Sequence, residues 1–354
     1  MSDTPYGYYD FGDPDEYDTP DYGGLSASET LKKYWGYDGF RPMQAEIIES
    51  VLGGRDTIGL LPTGGGKSIT FQVPALMLPG ITIVVTPLVS LMKDQVDNLK
   101  RRRVPAACLY MGMTRHQAEY AYERCRQGKV KLLYVAPERL ERDSFIGQLA
   151  RWDISLIVVD EAHCISQWGY DFRPSYLRIA ALRERKPGVP VLALTASATP
   201  EVVADIALRL EMKHHKLFTL SFTRDNISFL VRHTDRKYVK LLQILGSVGG
   251  SGIVYVRSRK RTVEIADSLV KSGISASAYH AGLDIETKAE RQDAWHSGQT
   301  RIMVATTAFG MGIDKADVRL VVHYDLPSTL EEYYQEAGRA GRDGRPSVCL
   351  LYTS

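Results

Sequence analysis

Asp160 and Glu161 are adjacent carboxylates that end an apolar run, Ile157-Val-Val-Asp-Glu-Ala-His-Cys164. Desolvating two neighbouring negative charges costs several kcal/mol unless a cation meets them. A divalent metal carrying a nucleotide is such a cation, because a phosphate loop lies upstream at Leu61-Pro-Thr-Gly-Gly-Gly-Lys-Ser68. Gly64, Gly65 and Gly66 allow backbone N–H groups to turn inward around phosphate oxygens, backed by a helix N-terminus. Thr63 through Ser68 form the expected nucleotide cradle, in which Lys67 neutralises β and γ charge and Ser68 ligates Mg²⁺. Asp160 is expected to hold the same Mg²⁺ through its waters, and Glu161 to polarise the water that attacks the γ-phosphate. The strict loop pattern begins with glycine, and Leu61 stands there instead. The loop and the paired acids together point to ATP hydrolysis.

These groups need strands that end where they begin. From Leu31 the chain alternates strand and helix patterns. Expected strands are Thr57–Leu60, Ile81–Thr86, Lys131–Val135, Ile154–Val159 and Val189–Leu194, with helices including Lys67–Leu78, Leu88–Arg103 and Pro200–Leu210. Runs apolar on both faces suit a parallel sheet covered by helices. The pattern lapses over Lys213–Arg224 and restarts with Ile253–Val256, Ala276–Tyr279, Ile302–Ala305 and Leu320–His323. The expected architecture is α/β: two tandem RecA-like, doubly wound parallel-sheet domains over 28–218 and 219–354, with a nucleotide cleft between them. Ligands then sit at the carboxyl ends of the strands.

Composition bounds the rest. The 44% apolar and 24% charged fractions are those of an ordinary globular protein, and no run approaches 18 apolar residues. Cys108, Cys125, Cys164 and Cys349 are scattered without a Cys-x-x-Cys, so neither zinc nor a disulfide framework is expected, and a reducing interior is. Residues 1–27 repeat Tyr, Asp, Gly and Pro without periodicity and are expected to be a disordered acidic tail, able to contact a protein partner. Residues 1–31 carry eight acids and no Lys or Arg, so a net charge of +2 leaves about +10 on the body, enough to attract a polyanion.

Further segments accumulate in order: Trp35-Gly-Tyr-Asp-Gly-Phe-Arg-Pro-Met-Gln44, Thr86-Pro-Leu-Val-Ser-Leu-Met-Lys-Asp-Gln95, Tyr134-Val-Ala-Pro-Glu-Arg-Leu140 and Ala193-Leu-Thr-Ala-Ser-Ala-Thr199. Val304-Ala-Thr-Thr-Ala-Phe-Gly-Met-Gly-Ile-Asp-Lys315 and Tyr333-Tyr-Gln-Glu-Ala-Gly-Arg-Ala-Gly-Arg-Asp-Gly344 follow. Together they resemble superfamily 2 helicases and, within them, the RecQ family, from about Leu31 to the last residue. The marker of that family is Ile165-Ser-Gln-Trp-Gly-Tyr-Asp-Phe-Arg-Pro-Ser-Tyr176, which resembles the aromatic-rich loop that couples DNA binding to ATP hydrolysis. Here Gln167, Trp168, Phe172 and Arg173 offer π faces and polar groups to unstacked bases and phosphates. The chain has Tyr170 and Ser175 where the family pattern has His and Glu.

The resemblance implies roles residue by residue. Tyr37, Arg41 and Gln44 match the adenine-recognition motif; the alternative for that segment is a buried hydrophobic cluster capping a helix. His163 would link the metal site to Ser197 and Thr199, relaying nucleotide state toward DNA. Gln335, Arg339 and Arg342 match the arginine-finger motif, whose guanidiniums stabilise charge on the transferring phosphoryl. Thr86, Ser90 and Lys93 of the first domain, with Arg257, Ser258 and Thr306 of the second, would meet DNA phosphates alongside Trp168 and Arg173; hydroxyls at strand ends otherwise cap helices.

The implied function is an ATP- and Mg²⁺-dependent 3′-to-5′ DNA helicase of repair or recombination. It would act as a monomer on single-stranded and forked DNA, within the cytoplasm of a bacterium or the nucleus of a eukaryote. Family members usually continue into a zinc module and a winged helix, so this chain is expected to unwind more weakly than a longer relative. The rival readings are an RNA-directed helicase of the same superfamily and a nucleotide-gated binding or annealing module.

Overall fold

The computed structural model describes residues 24–62, 64–169, 171–196, 198–221, 223–309 and 315–353. Thr63, Tyr170, Ser197, most of the acidic tail and the segment 310–314 of the Val304–Lys315 motif therefore lie outside the described residues.

Short strands rich in Ile, Val and Leu build two sheets. The first comprises β1 (Thr57–Leu60), β2 (Ile81–Val85), β3 (Ala106–Leu109), β4 (Leu132–Val135), β5 (Ile154–Val159), β6 (Val191–Thr195) and β7 (Lys216–Thr219), in the order β3-β4-β2-β5-β6-β1-β7. The second comprises β8 (Ile227–His233), β9 (Ser251–Tyr255), β10 (Ala276–Tyr279), β11 (Ile302–Ala305), β12 (Val318–His323) and β13 (Ser347–Thr353), in the order β10-β11-β9-β12-β13-β8. Every pairing among the described residues is parallel. Parallel strands need crossover helices, which cover both faces and bury the central strands completely.

Each sheet therefore has two cores. In the first, Ile83, Val135, Phe145 and Trp152 fill one face, while Val84, Phe71, Met92 and Tyr134 fill the other. In the second, Leu241, Val254 and Val304 oppose Tyr255, Trp295 and Phe309. The first helix, Ala27–Trp35, starts at a capping box between Ser26 and Glu29 and buries Leu31 against Ile48, Ile69 and Val73.

Four strands, β3, β7, β8 and β13, lie outside the expected set; β13 is a largely buried strand between β12 and β8. β7 falls inside the lapse at Lys213–Arg224; it is an edge strand, mostly exposed, so it has no buried face to leave an apolar signature. β8 is the opposite edge of the second sheet and is exposed after Ile227. β3 is Ala-Ala-Cys-Leu, too small in its side chains to read as a strand. Among the described residues no helix is long and apolar enough to cross a membrane.

Candidate nucleotide cleft and nucleic-acid surface

β5, β6 and β1 are consecutive in the first sheet, so the residues that follow them are neighbours at one edge. β1 runs into the phosphate loop. Leu61 is fully buried in the core and its N–H bonds the Thr195 carbonyl, which explains why an apolar residue stands at the loop's first position. Gly64 and Gly66 have positive φ, and a Cβ at Gly66 would lie 2.4 Å from the Gln44 amide nitrogen. The helix Ile69–Met77 follows directly after Ser68, so its N-terminus faces the loop.

Lys67 Nζ lies 3.6 Å from Glu161 Oε1, with both side chains largely buried. Among the described residues the ammonium has no hydrogen-bond acceptor, and Glu161 Oε2 has no hydrogen-bond donor. A buried cation and a buried carboxylate oxygen facing one another with unused bonding capacity fit a phosphate and a hydrated divalent ion. Asp160 accepts hydrogen bonds from the Glu161 N–H (3.0 Å) and the Thr86 hydroxyl (3.3 Å). Burial and the charge of Glu161 push the Asp160 carboxyl up to about 6. Burial acts on Glu161 in the same direction, but Lys67, His163 and Arg339 outweigh it and hold its carboxylate below the usual range. One member of the acid pair is thus stabilised as an anion by the protein, and the other calls for an external cation.

Arg41 and Gln44 reach the same loop. The Arg41 guanidinium donates to the Gly64 carbonyl. Gln44 accepts from the Arg41 N–H at 2.8 Å and donates to the Gly66 carbonyl at 2.9 Å. Both ends of its amide are engaged within the protein, so Gln44 braces the phosphate loop. Tyr37 is exposed, with its ring available to stack.

His163 is buried, and burial lowers its basicity. Its Nδ1 meets Thr195 Oγ1 at 2.8 Å and lies 3.5 Å from Glu161 Oε2. The expected link to Thr199 is corrected: the Thr199 hydroxyl caps the helix Pro200–Arg209, accepting from the Val202 N–H. Thr195 takes its place because it is the last residue of β6 and its side chain points inward, whereas Thr199 has already left the sheet. Strand alternation marks Thr195 as inward-pointing without saying which side chain it meets.

The aromatic-rich loop packs directly behind the acids. The Tyr176 hydroxyl donates to the Asp160 carbonyl at 3.0 Å. Arg173 holds Asp171 at 3.0 Å and donates to the Pro87 carbonyl at 3.3 Å. Trp168 is 78% exposed, an unusual position for indole, while Gln167 is exposed and Phe172 half-buried. Ser175 is buried.

The second domain closes the cleft. A Cβ at Gly64 would lie 3.2 Å from Arg342 Cγ, so Arg342 already rests on the phosphate loop. Arg339 is near enough to act on the Glu161 charge. Gln335 lines a small pocket with Pro62, Ala196 and Tyr334 at the seam. The arginine-bearing turn is braced by residues that the sequence did not single out: Arg224 donates to the Gly341 carbonyl at 2.7 Å, and Asn226 to the same oxygen at 2.7 Å. A lone Arg in a stretch without periodicity carries no sequence signal for that role.

The expected DNA-facing residues divide. Ser90 and Arg257 are exposed, Lys93 lies over the Tyr110 ring at 4.9 Å, and Thr306 lines a groove of about 380 Å³ with Arg257. Thr86 is corrected: it is 1% exposed and points at Asp160, because it directly continues a buried strand. Ser258 is exposed, and its side chain also caps the helix Arg259–Lys271 by accepting from the Arg261 N–H at 3.1 Å.

Comparison with known proteins agrees with this arrangement. Residues 41–206 match the DEAD/DEAH box helicase family and residues 236–344 the helicase conserved C-terminal domain. The chain is 40% identical over 339 residues to the ATP-dependent DNA helicase RecQ of Synechocystis, covering 93% of this chain and 71% of that one. It is 45% identical over 336 residues to RecQ of Bacillus subtilis (93% and 56%), and 43% over 338 residues to the RecQ-like DNA helicase blm-1 of Caenorhabditis elegans (92% and 34%). The chain thus spans about a third to about a half of several curated relatives. The fold is that of Mycobacterium smegmatis Lhr, solved with ssDNA and AMP-PNP (TM-score 0.75, 20% identity, 91% of this chain and 47% of that one). It is also that of Mss116p, solved with ssRNA and AMP-PNP (TM-score 0.76, 18% identity, 93% and 72%).

Proposed function

Given that the chain belongs to the RecQ family of DNA helicases, we propose that it hydrolyses ATP in the cleft between its two domains and uses the cycle to move along single-stranded DNA and separate duplexes. The observation that carries this reading is the meeting of Lys67 and Glu161 from the first domain with Arg339 and Arg342 from the second.

The backbone turn at Gly64–Gly66 and the ammonium of Lys67 bind the β- and γ-phosphates. Ser68 and Asp160 would hold Mg²⁺, which supplies charge neutralisation across the phosphates. Glu161, kept anionic by Lys67, orients and deprotonates the attacking water. Arg339 and Arg342 meet the charge that develops on the γ-phosphoryl, an effect of about 10³–10⁵ in related phosphoryl transfers. Tyr37 stacks on the base, and Gln44 and Arg41 fix the loop that the phosphates approach. Trp168 and Phe172 stack on unpaired bases, while Ser90, Lys93, Arg257 and Thr306 hold the phosphate backbone without reading sequence. Because the aromatic loop bonds the Asp160 carbonyl through Tyr176 and the Pro87 carbonyl through Arg173, strand occupancy and the metal site share one scaffold. Alternating closure and reopening of the domains advances the strand 3′ to 5′.

The test is ATP turnover with and without single-stranded DNA, together with displacement of tailed duplexes. Turnover rises with DNA in the wild type and is lost in Lys67→Ala, with loss of displacement. Stimulation by RNA alone, or displacement only from 5′-tailed substrates, overturns the reading.

A further inference from the structure

Tyr255 ends β9 and is 3% exposed, so its phenolic hydroxyl is inside the second domain. A buried hydroxyl needs partners for both its proton and its lone pairs. The proton goes to the Phe309 carbonyl at 2.8 Å, and Arg339 is near enough for its charge to act on the phenol oxygen. Burial holds the phenol far above its ordinary range, so the donor persists at any working pH.

Each partner belongs to a different functional surface. Phe309 is in the turn that leaves β11, its N–H bonded to the Thr306 carbonyl at 2.9 Å, and Thr306 lines the groove that also contains Arg257 and Tyr255 itself. Arg339 is buried and near enough to act on the Glu161 charge. On its other side the Tyr255 ring stacks on His323 with centroids 5.7 Å apart, and His323 Nε2 lies 2.9 Å from Glu336 Oε2. Glu336 precedes Arg339 by three residues and acts on its charge. Tyr255, His323, Glu336 and Arg339 thus close a buried ring of contacts, with one point of attachment to the groove wall.

We propose that Tyr255 is a positioning residue for hydrolysis: its hydroxyl ties the groove-lining turn after β11 to Arg339, so that occupancy of the groove by a nucleic-acid backbone sets where that guanidinium stands. The inference rests on the reading of the cleft given above. A strand held by Arg257 and Thr306 fixes the turn, the turn fixes the Phe309 carbonyl, and the hydroxyl bonded to that carbonyl passes the constraint to the neighbouring guanidinium. Packed groups of this kind have discrete arrangements and transmit small shifts.

Tyr255→Phe deletes one oxygen and keeps the ring on His323. With saturating single-stranded DNA, kcat for ATP falls about 5- to 20-fold, while KM for ATP and the Kd for DNA stay within twofold of wild type. In an Arg339→Lys background the same substitution adds less than a twofold further loss, because groups acting through one another are not additive. His323→Gln, which keeps a hydrogen-bonding side chain beside Glu336, lowers kcat less than Tyr255→Phe does. An unchanged kcat, a loss confined to KM or DNA affinity, or full additivity with Arg339→Lys overturns the proposal. If wild type itself shows no stimulation by DNA, the failure lies in the reading of the cleft and not in Tyr255.

Discussion

Asp160 carries a carboxylate that the protein alone disfavours. Burial and the Glu161 charge raise its folded-state affinity for a proton, to a value of about 6. An acid whose folded value exceeds its unfolded one stabilises the fold when protonated, and that contribution is lost as pH rises from about 4 through about 6. At pH 7 the ionised form is therefore a net cost, which a bound cation would offset. Asp160→Asn keeps the acceptor for the Glu161 N–H and removes the charge. It is expected to raise the thermal midpoint of the nucleotide-free protein by a few degrees, on the order of 1–2 kcal/mol, while hydrolysis is lost. A midpoint that falls in differential scanning would show that Asp160 is structurally satisfied without a cation. Glu161→Gln has the opposite sign, since Lys67 and His163 stabilise its anion, and should lower the midpoint.

Elements place these groups by their ends. The turn Ala337–Gly344 presents Arg339 and Arg342 because Gly341, at φ +57°, reverses the chain where a Cβ would lie 2.4 Å from Asn226 Nδ2 and 2.7 Å from Ser347 Oγ. Gly341→Ala must displace Asn226 or the turn itself, and is expected to lower kcat at least tenfold at unchanged ATP affinity and to cost about 1–3 kcal/mol of stability. An intact kcat in that variant would mean the turn tolerates a shift that the hydrogen bonds of Arg224 and Asn226 do not permit. The loop Ile165–Tyr176 works differently, since it exposes Trp168 yet anchors at Tyr176 and Arg173. Trp168→Ala should remove the increment that single-stranded DNA adds to ATP turnover and weaken DNA binding by about 1–3 kcal/mol, read by fluorescence titration. Retained stimulation in the variant would separate the indole from coupling.

Across the whole molecule, the carboxyl ends of the first sheet's strands meet the arginine-bearing turn that leads into β13 of the second domain, and the contact of Arg342 with Gly64 joins them. Arg342→Ala is expected to leave ATP binding within a few-fold while reducing turnover about 10³-fold, as measured by equilibrium binding and steady-state hydrolysis. Equal losses in both would place Arg342 in ground-state binding only. Most of this plan was legible in the chain. The phosphate loop, the Asp-Glu pair and the apolar runs name their positions because backbone turns, metal chemistry and buried strands each demand particular residue types locally. The edge strands Lys216–Thr219 and Ile227–His233 were not legible, since an exposed edge imposes no apolar pattern. The tertiary structure alone decided that Thr195 meets His163, that Gln44 braces the phosphate loop, that Thr86 faces Asp160, and that Tyr255 lies between the groove and Arg339. Those pairings join residues 22 to 84 positions apart, and no local pattern encodes which inward-pointing side chain another strand will bring within hydrogen-bonding reach.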